Sequence, residues 1–313
     1  MPRCLISFGA NIGNPLETIR TAADLLRQQL VSTPDDFQLS RYFRTPPVGG
    51  PSGQPPFINA VAAVTTPHAV ETVWQAVRAA ERELGRQRDR RWEARRIDLD
   101  ILLYDDLRIW TPQLKIPHPR MCMRRFILIP AAEVAAQWLD PVSGWTIGRL
   151  AEAVRSGPAN LILVSDDVPH HASWLPDIAR LTMSEIIPLG IAPALPWARW
   201  ICLTSLQHWR QAVATLPPDS YRLRTKLVMF LTSPGPPAAA AEPAGSWEER
   251  HADLASWLRL VAPESPAGVD AQSAMGKTCC DGPRYLLSSD DRQWAVHEIV
   301  SAMEAMDCPI EPL

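Results

Sequence analysis

Two aspartates, Asp98 and Asp100, lie two positions apart in the otherwise apolar segment IDLDILLY, directly after Arg95 and Arg96. If this segment is a strand, both carboxylates point to the same face, because side chains alternate with a period of two. Carboxylates this close repel each other unless a cation lies between them. Mg²⁺ binds a few carboxylates together with phosphate oxygens, so the pair is a candidate magnesium site. The alternative is a solvated edge of a sheet.

An arginine-rich segment precedes the aspartates. Residues 85–96, GRQRDRRWEARR, contain six arginines and two acidic residues. A guanidinium group matches phosphate oxygens geometrically and stays charged at any relevant pH. Phosphoryl transfer needs charge neutralised on several oxygens, which a cationic loop beside a metal-binding carboxylate pair would supply. The alternatives are a solvated loop or a nucleic-acid-binding patch, and the neighbouring carboxylate pair disfavours both, since carboxylates would repel a nucleic-acid backbone.

The elements that must position these residues alternate between strands and helices. Hydrophobic periodicity predicts strands in RCLISFGANIG, FQLSRYFRT, PFINAVAAVTT and RRIDLDILLY, and helices in PLETIRTAADLLRQQL, HAVETVWQAVRAAERELGR and FILIPAAEVAAQ. The order β-α-β-β-α-β predicts an α+β, ferredoxin-like first domain with at least one antiparallel strand pair. In the last strand, Leu102 is expected on the face of the aspartates, and the opposite face is expected to carry Ile97, Leu99, Ile101 and Leu103.

The second half differs from the first in composition, with many prolines after a break near residues 156–158. We therefore predict domains at 1–155 and 158–313, the second with a Pro/Ala-rich loop at 233–245. Strands are predicted in NLILVS, RWICLTS, TKLVMFLTS and PRYLLSS, and a helix in DDRQWAVHEIVSAMEAM, capped by Asp290 or Asp291. This alternation predicts an α/β layer with a largely parallel sheet.

The composition indicates which classes of binding partner and which cellular compartment to expect. The 313 residues are 46% hydrophobic and 21% charged, with a formal net charge of -3, which gives no sign of a nucleic-acid or membrane partner. No apolar run approaches the length of a membrane span. The six cysteines lack C-x-x-C spacing, which predicts reduced thiols in a cytoplasmic protein.

Six motifs occur in order along residues 3–153: SFGANIGNP, SRYFRTPPVGGPSGQPPFINAV, ERELGRQR, RRIDLDILLY, IPHPRM and RRFILIPAAEV. Together they resemble the 6-hydroxymethyl-7,8-dihydropterin pyrophosphokinases of the folate pathway. The resemblance implies an enzyme that uses two Mg²⁺ ions to move the diphosphate of ATP onto the hydroxymethyl group of the pterin, releasing AMP. The alternative is a weakly active or inactive scaffold that binds pterin and nucleotide and carries an interaction domain.

The resemblance also implies a role for individual residues. Asp98 and Asp100 would bind the metal ions, and Arg95 and Arg86 would be the catalytic arginines. Contacts to ATP are implied for Glu81, Arg88, His118 and Arg124. A flat heterocycle with polar edges suits stacking between rings plus a few hydrogen bonds. For the pterin, the resemblance implies stacking by Phe57 and Phe126 and edge contacts from Asn59, Thr45, Pro47 and Val48.

Two regions depart from known patterns. Family members usually carry Gly-Pro before the arginine that corresponds to Arg95, whereas this chain has Glu93-Ala94, and its catalytic loop is one residue shorter. The extra negative charge predicts slower turnover. The second half faintly resembles deoxynucleoside-kinase-type P-loop proteins, but AQSAMGKT at 271–278 has alanine where the first phosphate-loop glycine belongs. We therefore predict a degenerate, non-catalytic second domain.

Overall fold

The computed structural model describes residues 1–51, 53–85, 95–111, 113–215, 225–232, 282–288 and 291–313. The chain divides into two compact units. The first comprises Met1–Pro141, Trp145–Ser156 and Glu304–Leu313, and the second comprises Val142–Gly144 and Gly157–Met303. No helix within the described ranges is long and apolar enough to cross a membrane.

The first unit begins with a sheet and two helices. Its elements up to residue 155 are β1 (Arg3–Ala10), α1 (Pro15–Leu30), β2 (Phe37–Leu39), β3 (Phe43–Thr45), β4 (Phe57–Thr65), α2 (Val70–Glu83), β5 (Asp98–Tyr104), β6 (Ile109–Trp110), β7 (Lys115–Ile116), α3 (Arg125–Ala135) and α4 (Ile147–Arg155). The strands pair in the order β3-β4-β1-β5, with β2 also against β4, and every pair is antiparallel. The three predicted helices and the strands predicted at β1, β4 and β5 are confirmed. The single strand predicted over FQLSRYFRT is divided into β2 and β3, and β6, β7 and α4 were not predicted.

One face of this sheet carries the core. Alternate residues of β1, such as Ile6 and Phe8, pack in one cluster with Ile19 of α1 and Val73 of α2, and all four are almost fully buried. Each such side chain stabilises the fold by about 1.5–3 kcal/mol relative to exposure. Because α1 and α2 cover this face, the other face of β1, β4 and β5 is left for different contacts.

The strand that carries the aspartates contains a bulge. Ile6 of β1 lies opposite Ile101, but Leu5 lies opposite Leu103, which makes Leu102 an extra residue in β5. The predicted alternation is confirmed for Leu99 and Ile101, which belong to the helix-covered core. It is wrong for Leu103, because the extra residue shifts the alternation and turns Leu103 toward the side of the aspartates.

The second unit is built on a parallel sheet. Its elements are β8 (Asn160–Ser165), α5 (Val168–Ala172), α6 (Leu175–Thr182), β9 (Ser184–Ile186), β10 (Arg199–Ser205), α7 (Leu206–Thr215), β11 (Val228–Thr232), β12 (Arg284–Ser288) and most of α8 (Arg292–Asp307). The order is β12-β11-β8-β10-β9, and all pairs are parallel. The four predicted strands and the parallel sheet are confirmed, whereas β9 was not predicted.

The cap predicted for the last helix is Asp291, whose Oδ1 accepts a hydrogen bond from the backbone N–H of Trp294 at 3.0 Å. Asp290 lies outside the described residues, as do the Pro/Ala-rich run at 233–245 and the sequence AQSAMGKT at 271–278.

The C-terminus of the chain belongs to the first unit, whereas the sequence analysis places all of 158–313 in one domain. The last strand, β13 (Glu311–Pro312), pairs antiparallel with β3, and the backbone N–H of Leu313 donates to the carbonyl of Tyr42 at 2.8 Å. The physical reason is that β3 would otherwise be an edge strand with unpaired backbone groups.

Removing residues 309–313 should therefore destabilise the outer part of this sheet by about 1–3 kcal/mol, because a few backbone hydrogen bonds are lost. Hydrogen exchange of the β3 and β4 amides in the full-length and shortened chains measures the effect. Glu311→Ala is the matched control, since it keeps the backbone pairing and removes only an exposed side chain. Equal protection in the shortened and full-length chains would show that β13 contributes no stability.

Candidate active site

A cleft opens on the side of the first sheet that carries the aspartates. It contains about 770 Å³ of space, part of it open to solvent. Its walls are formed by Ser7, Phe8, Gly9, Thr45, Pro46, Pro47, Val48, Gly49, Gln54, Phe57, Asn59, Ala60, Arg95, Asp98, Asp100, Arg124, Phe126 and Ile127. Residues from the predicted metal, catalytic, ATP and pterin groups thus meet at one place.

The register of three strands brings the aspartates next to the predicted pterin contacts. Gly9 of β1 lies opposite Asn59 of β4 on one side and opposite Asp98 of β5 on the other. A Cβ atom at position 9 would lie 3.4 Å from Asn59 Oδ1, at van der Waals contact. Because Gly9 has no side chain, nothing projects from β1 between the amide and the carboxylate.

Asp98 and Asp100 form the acidic wall of the cleft. In the described part of the chain, no three His, Cys, Asp or Glu side chains are grouped so as to hold a metal ion. The pair alone would leave most of an octahedral Mg²⁺ shell to water or phosphate oxygens, which is the arrangement this ion prefers when it binds with a nucleotide. The donor set fits Mg²⁺.

Arg95 is held beside this wall by Asn11. The backbone N–H of Arg95 donates to Asn11 Oδ1 at 2.7 Å, and the backbone N–H of Asn11 donates to the Arg95 carbonyl at 3.0 Å. The guanidinium Nη1 of Arg95 makes an ion pair with Asp98 Oδ2. Asn11 lies within the motif SFGANIGNP but was not among the predicted site residues.

Glu81 lies behind the acidic wall and does not line the cleft. Its carboxylate is buried, and Oε1 accepts a hydrogen bond from the backbone N–H of Leu99 at 3.0 Å. Among the described strands β5 is the last of the sheet, so none of them pairs with that N–H on its outer side. Leu99 stands between the two aspartates, so Glu81 fixes the backbone that carries them.

His118 contacts both the bulge in β5 and the acidic wall. Its backbone N–H donates to the carbonyl of Leu102 at 2.8 Å, and its Nε2 lies 3.7 Å from Asp100 Oδ2. Burial, reinforced by the positive charges of Arg124 and Arg120, holds the pKa of His118 well below its usual value of 6.5. The ring is therefore neutral at pH 7. Since Nδ1 accepts from the backbone N–H of Arg120 at 3.2 Å, the ring proton is on Nε2, facing Asp100.

The opposite wall of the cleft is aromatic and amide-bearing. Phe57 begins β4 and Phe126 lies in the first turn of α3, and both rings are half-buried. Asn59 is buried and its Nδ2 donates to Thr45 Oγ1 at 2.9 Å. The Arg124 guanidinium lies 5.6 Å from the centre of the Phe126 ring. Gln54 also lines this cleft and was not predicted.

The predicted residues Arg86 and Arg88 lie outside the described residues, and so do Glu93 and Ala94. Their roles stay predictions from the resemblance.

Comparison with known proteins matches the same part of the chain. A profile of the 7,8-dihydro-6-hydroxymethylpterin-pyrophosphokinase (HPPK) family matches residues 5–136. A 2-amino-4-hydroxy-6-hydroxymethyldihydropteridine pyrophosphokinase of Synechocystis sp. is 35% identical over 150 residues, which cover 48% of this chain and 75% of that protein. The protein of the same name from Pseudomonas aeruginosa is 38% identical over 137 residues, which cover 42% and 80%.

Among solved structures, wild-type Plasmodium falciparum HPPK-DHPS with pteroate matches 94% of this chain and 82% of its own, with 10% identity. The TM-score is 0.39, which is too low for a comparison of individual residues.

The depressed pKa of His118 predicts a loss of stability in acid. As the pH falls below about 6.5, the unfolded chain takes up a proton at this residue that the folded chain does not, and the free energy of unfolding drops. The slope contributed by one such group reaches about 1.4 kcal/mol per pH unit. Denaturation at several pH values without added Mg²⁺ measures it.

The control is His118→Asn, because the amide oxygen can still accept from the Arg120 N–H and does not titrate. The variant should lose less stability on acidification than the natural chain. Parallel curves for the two proteins would contradict the depressed pKa.

Proposed function

This chain belongs to the 7,8-dihydro-6-hydroxymethylpterin-pyrophosphokinase family, and we propose that the cleft of its first unit is the active site of that reaction. The enzyme is an ATP-dependent transferase of the folate pathway that moves a diphosphate group from ATP to 6-hydroxymethyl-7,8-dihydropterin and leaves AMP. The observation that carries the site assignment is the cleft itself, which joins a carboxylate pair and two arginines to two half-buried phenylalanines and a buried amide.

The aromatic wall suits the pterin. A flat heterocycle between Phe57 and Phe126 would bury both of its faces, and offset stacking contributes beyond the buried area. Asn59 donates one N–H of its amide to Thr45. The groups of the amide that this hydrogen bond does not use can then bind the polar edge of the ring. Pro47 and Val48, on the loop after β3, supply backbone groups along the same edge.

The acidic wall suits a nucleotide–magnesium complex. We propose that Asp98 and Asp100 hold two Mg²⁺ ions together with phosphate oxygens of ATP. When bound, these ions neutralise charge that develops on the transferred group. Glu81 keeps the backbone between the two aspartates in place, and the Nε2–H of His118 keeps positive polarity toward Asp100 without adding a full charge.

Arg95 would bind two partners in turn, Asp98 before the reaction and the transferred phosphate during it. In this structure it pairs with Asp98, so a cation at Asp98 would displace the guanidinium. The group is then free to turn to the phosphate that is moving, where its planar donors match two oxygens. Arg124 lies on the same cleft and would contact ATP, and Arg86 and Arg88 are assigned to the phosphates by resemblance only.

The architecture supports further proposals. The strand order β3-β4-β1-β5 with α1 and α2 on one face supports a ferredoxin-like first unit. The five-stranded parallel sheet supports a relationship of the second unit to P-loop kinases, with a degenerate phosphate loop. A cytoplasmic location is supported by Cys4, Cys122, Cys202 and Cys308, whose side chains are buried and form no disulfide.

The test of the function is AMP release from ATP and Mg²⁺ with and without 6-hydroxymethyl-7,8-dihydropterin. The full chain should release AMP only when the pterin is present. Asp98→Asn and Asp100→Asn should each lower the rate by at least about a hundredfold, since the charge that balances the cations is lost while the shape is kept.

Asp105→Asn is the matched control, because Asp105 follows β5 and accepts from the backbone N–H of Arg3 at 2.9 Å, away from the cleft. It should retain the natural rate. Transfer above a tenth of that rate in either cleft variant would overturn the metal assignment. Pterin binding without any AMP release would instead identify a scaffold.

Arg95→Ala should lower kcat far more than it weakens the binding of ATP. The guanidinium is paired with Asp98 in the resting cleft, and its gain in interaction comes only as charge moves during transfer. Steady-state kinetics and binding of a non-hydrolysable ATP analogue separate the two effects. Arg96→Ala, at the exposed neighbouring position, is the control, and an equal loss of kcat and affinity in Arg95→Ala would make Arg95 an ordinary binding residue.

A further inference from the structure

Asn11 follows β1 and lies between two chain segments that line the cleft. One is the loop between β3 and β4, which leads to Phe57 on the aromatic wall. The other leads into β5 and contains Arg95. Asn11 is 3% exposed and is not itself part of the cleft wall. Any effect of Asn11 on the reaction must therefore pass through the residues that it holds.

The backbone of Arg95 is bound to Asn11 at both of its polar groups. Its N–H donates to Asn11 Oδ1 at 2.7 Å, and its carbonyl accepts from the backbone N–H of Asn11 at 3.0 Å. These two hydrogen bonds fix the peptide groups on both sides of the Arg95 Cα atom. Because the allowed side-chain rotamers depend on the backbone dihedrals, the two bonds also limit where the guanidinium can lie.

The other end of the Asn11 amide is bound to the loop between β3 and β4. Its Nδ2 donates to the carbonyl of Pro55 at 3.2 Å. Gln54, directly before this proline, lines the cleft, and Phe57 follows two residues after it. Pro55 and Pro56 have fixed φ angles, so the chain between this carbonyl and the Phe57 ring is stiff.

The Asn11 amide therefore bridges the pterin side of the cleft and the catalytic arginine. The Arg95 N–H requires an acceptor and the Pro55 carbonyl requires a donor, so only one orientation of the planar amide serves both. Asn11 is buried, and an amide group left without its partner there would carry a desolvation cost. A shift of the Pro55 carbonyl is for this reason linked to a shift of the Arg95 backbone.

We propose that Asn11 is a positioning residue that couples occupation of the pterin site to the placement of Arg95. A pterin stacked on Phe57 holds the end of the loop, and the Asn11 amide passes this restraint to the Arg95 backbone. The guanidinium then turns from Asp98 toward the phosphate on a fixed backbone. The inference rests on the proposed function of the cleft, and it adds a residue outside the predicted metal, ATP and pterin contacts.

Hydrogen exchange of the Arg95 amide tests the coupling directly, because this N–H donates to Asn11. The full chain is measured with a saturating non-hydrolysable ATP analogue, with and without 6-hydroxymethyl-7,8-dihydropterin. In the natural chain the pterin should slow exchange at Arg95 by about three- to tenfold, which is the size of one hydrogen bond. Asn11→Asp keeps the acceptor for Arg95 and loses the donor for Pro55, so the pterin should change its exchange by less than about twofold.

Steady-state kinetics test whether this placement serves the transfer. Asn11→Ala should lower kcat by at least about tenfold, since a misplaced Arg95 loses interaction with the moving phosphate, and should leave the affinity for the ATP analogue within about twofold. Asn14→Ala is the matched control, because Asn14 is an exposed residue of the same motif whose Oδ1 accepts from the backbone N–H of Glu17 at 3.5 Å. It loses a helix cap and should keep both values within about twofold.

A double substitution tests whether Asn11 acts through Arg95. In an Arg95→Ala background, Asn11→Ala should lower kcat no further, because no guanidinium is left to position. A general loss of structure would instead add to the effect of Arg95→Ala. Additive losses would overturn the proposal, and so would a natural kcat in Asn11→Ala or a pterin response of Asn11→Asp equal to that of the natural chain.

The outcomes also separate this inference from the proposed function. A natural chain that releases AMP with the pterin, but whose exchange at Arg95 does not respond to the pterin, overturns the inference alone. A natural chain that neither binds the pterin nor releases AMP overturns both.

Discussion

The repulsion between two carboxylates on one edge strand is the constraint around which the first unit is organised. Each carboxylate meets positive polarity: Asp98 pairs with the guanidinium of Arg95, and Asp100 faces the Nε2–H of a neutral His118. The backbone between them is held from behind by the buried Glu81. These contacts offset the repulsion and keep the two side chains on one wall of the cleft.

The two faces of this sheet carry different kinds of residue. On one face, alternate apolar side chains of the strands join the core under α1 and α2, and their burial stabilises the unit. On the other face, buried apolar residues such as Leu5 and Val61 lie beside the cleft, whose walls carry groups that would be costly in a core, such as the carboxylates and the Asn59 amide. Gly9 lies between Asn59 and Asp98 in the strand register, where the aromatic wall meets the acidic wall.

Local patterns were enough to predict the long strands and helices of both units, but not that the last residues of the chain return to the first unit. Periodicity is strong in segments such as β4 and α1, where many side chains alternate between core and solvent. Leu102 lies in a run of apolar residues, so the sequence does not indicate the bulge there. The position of Leu103 on the face of the aspartates could therefore not be predicted. The two-residue strand β13 and the contact of Glu81 with Leu99 depend on tertiary pairing, which no local pattern encodes.

The pairing of β13 with β3 has a consequence for the order in which the protein is made. Synthesis runs from the N-terminus, and the strands β1 to β5 leave the ribosome long before residues 311–312 exist. The outer edge of β3 therefore lacks this partner through translation of the whole second unit, until residues 311–312 have been made. A polypeptide that terminates early keeps the motifs of the family and lacks the strand that completes its first sheet.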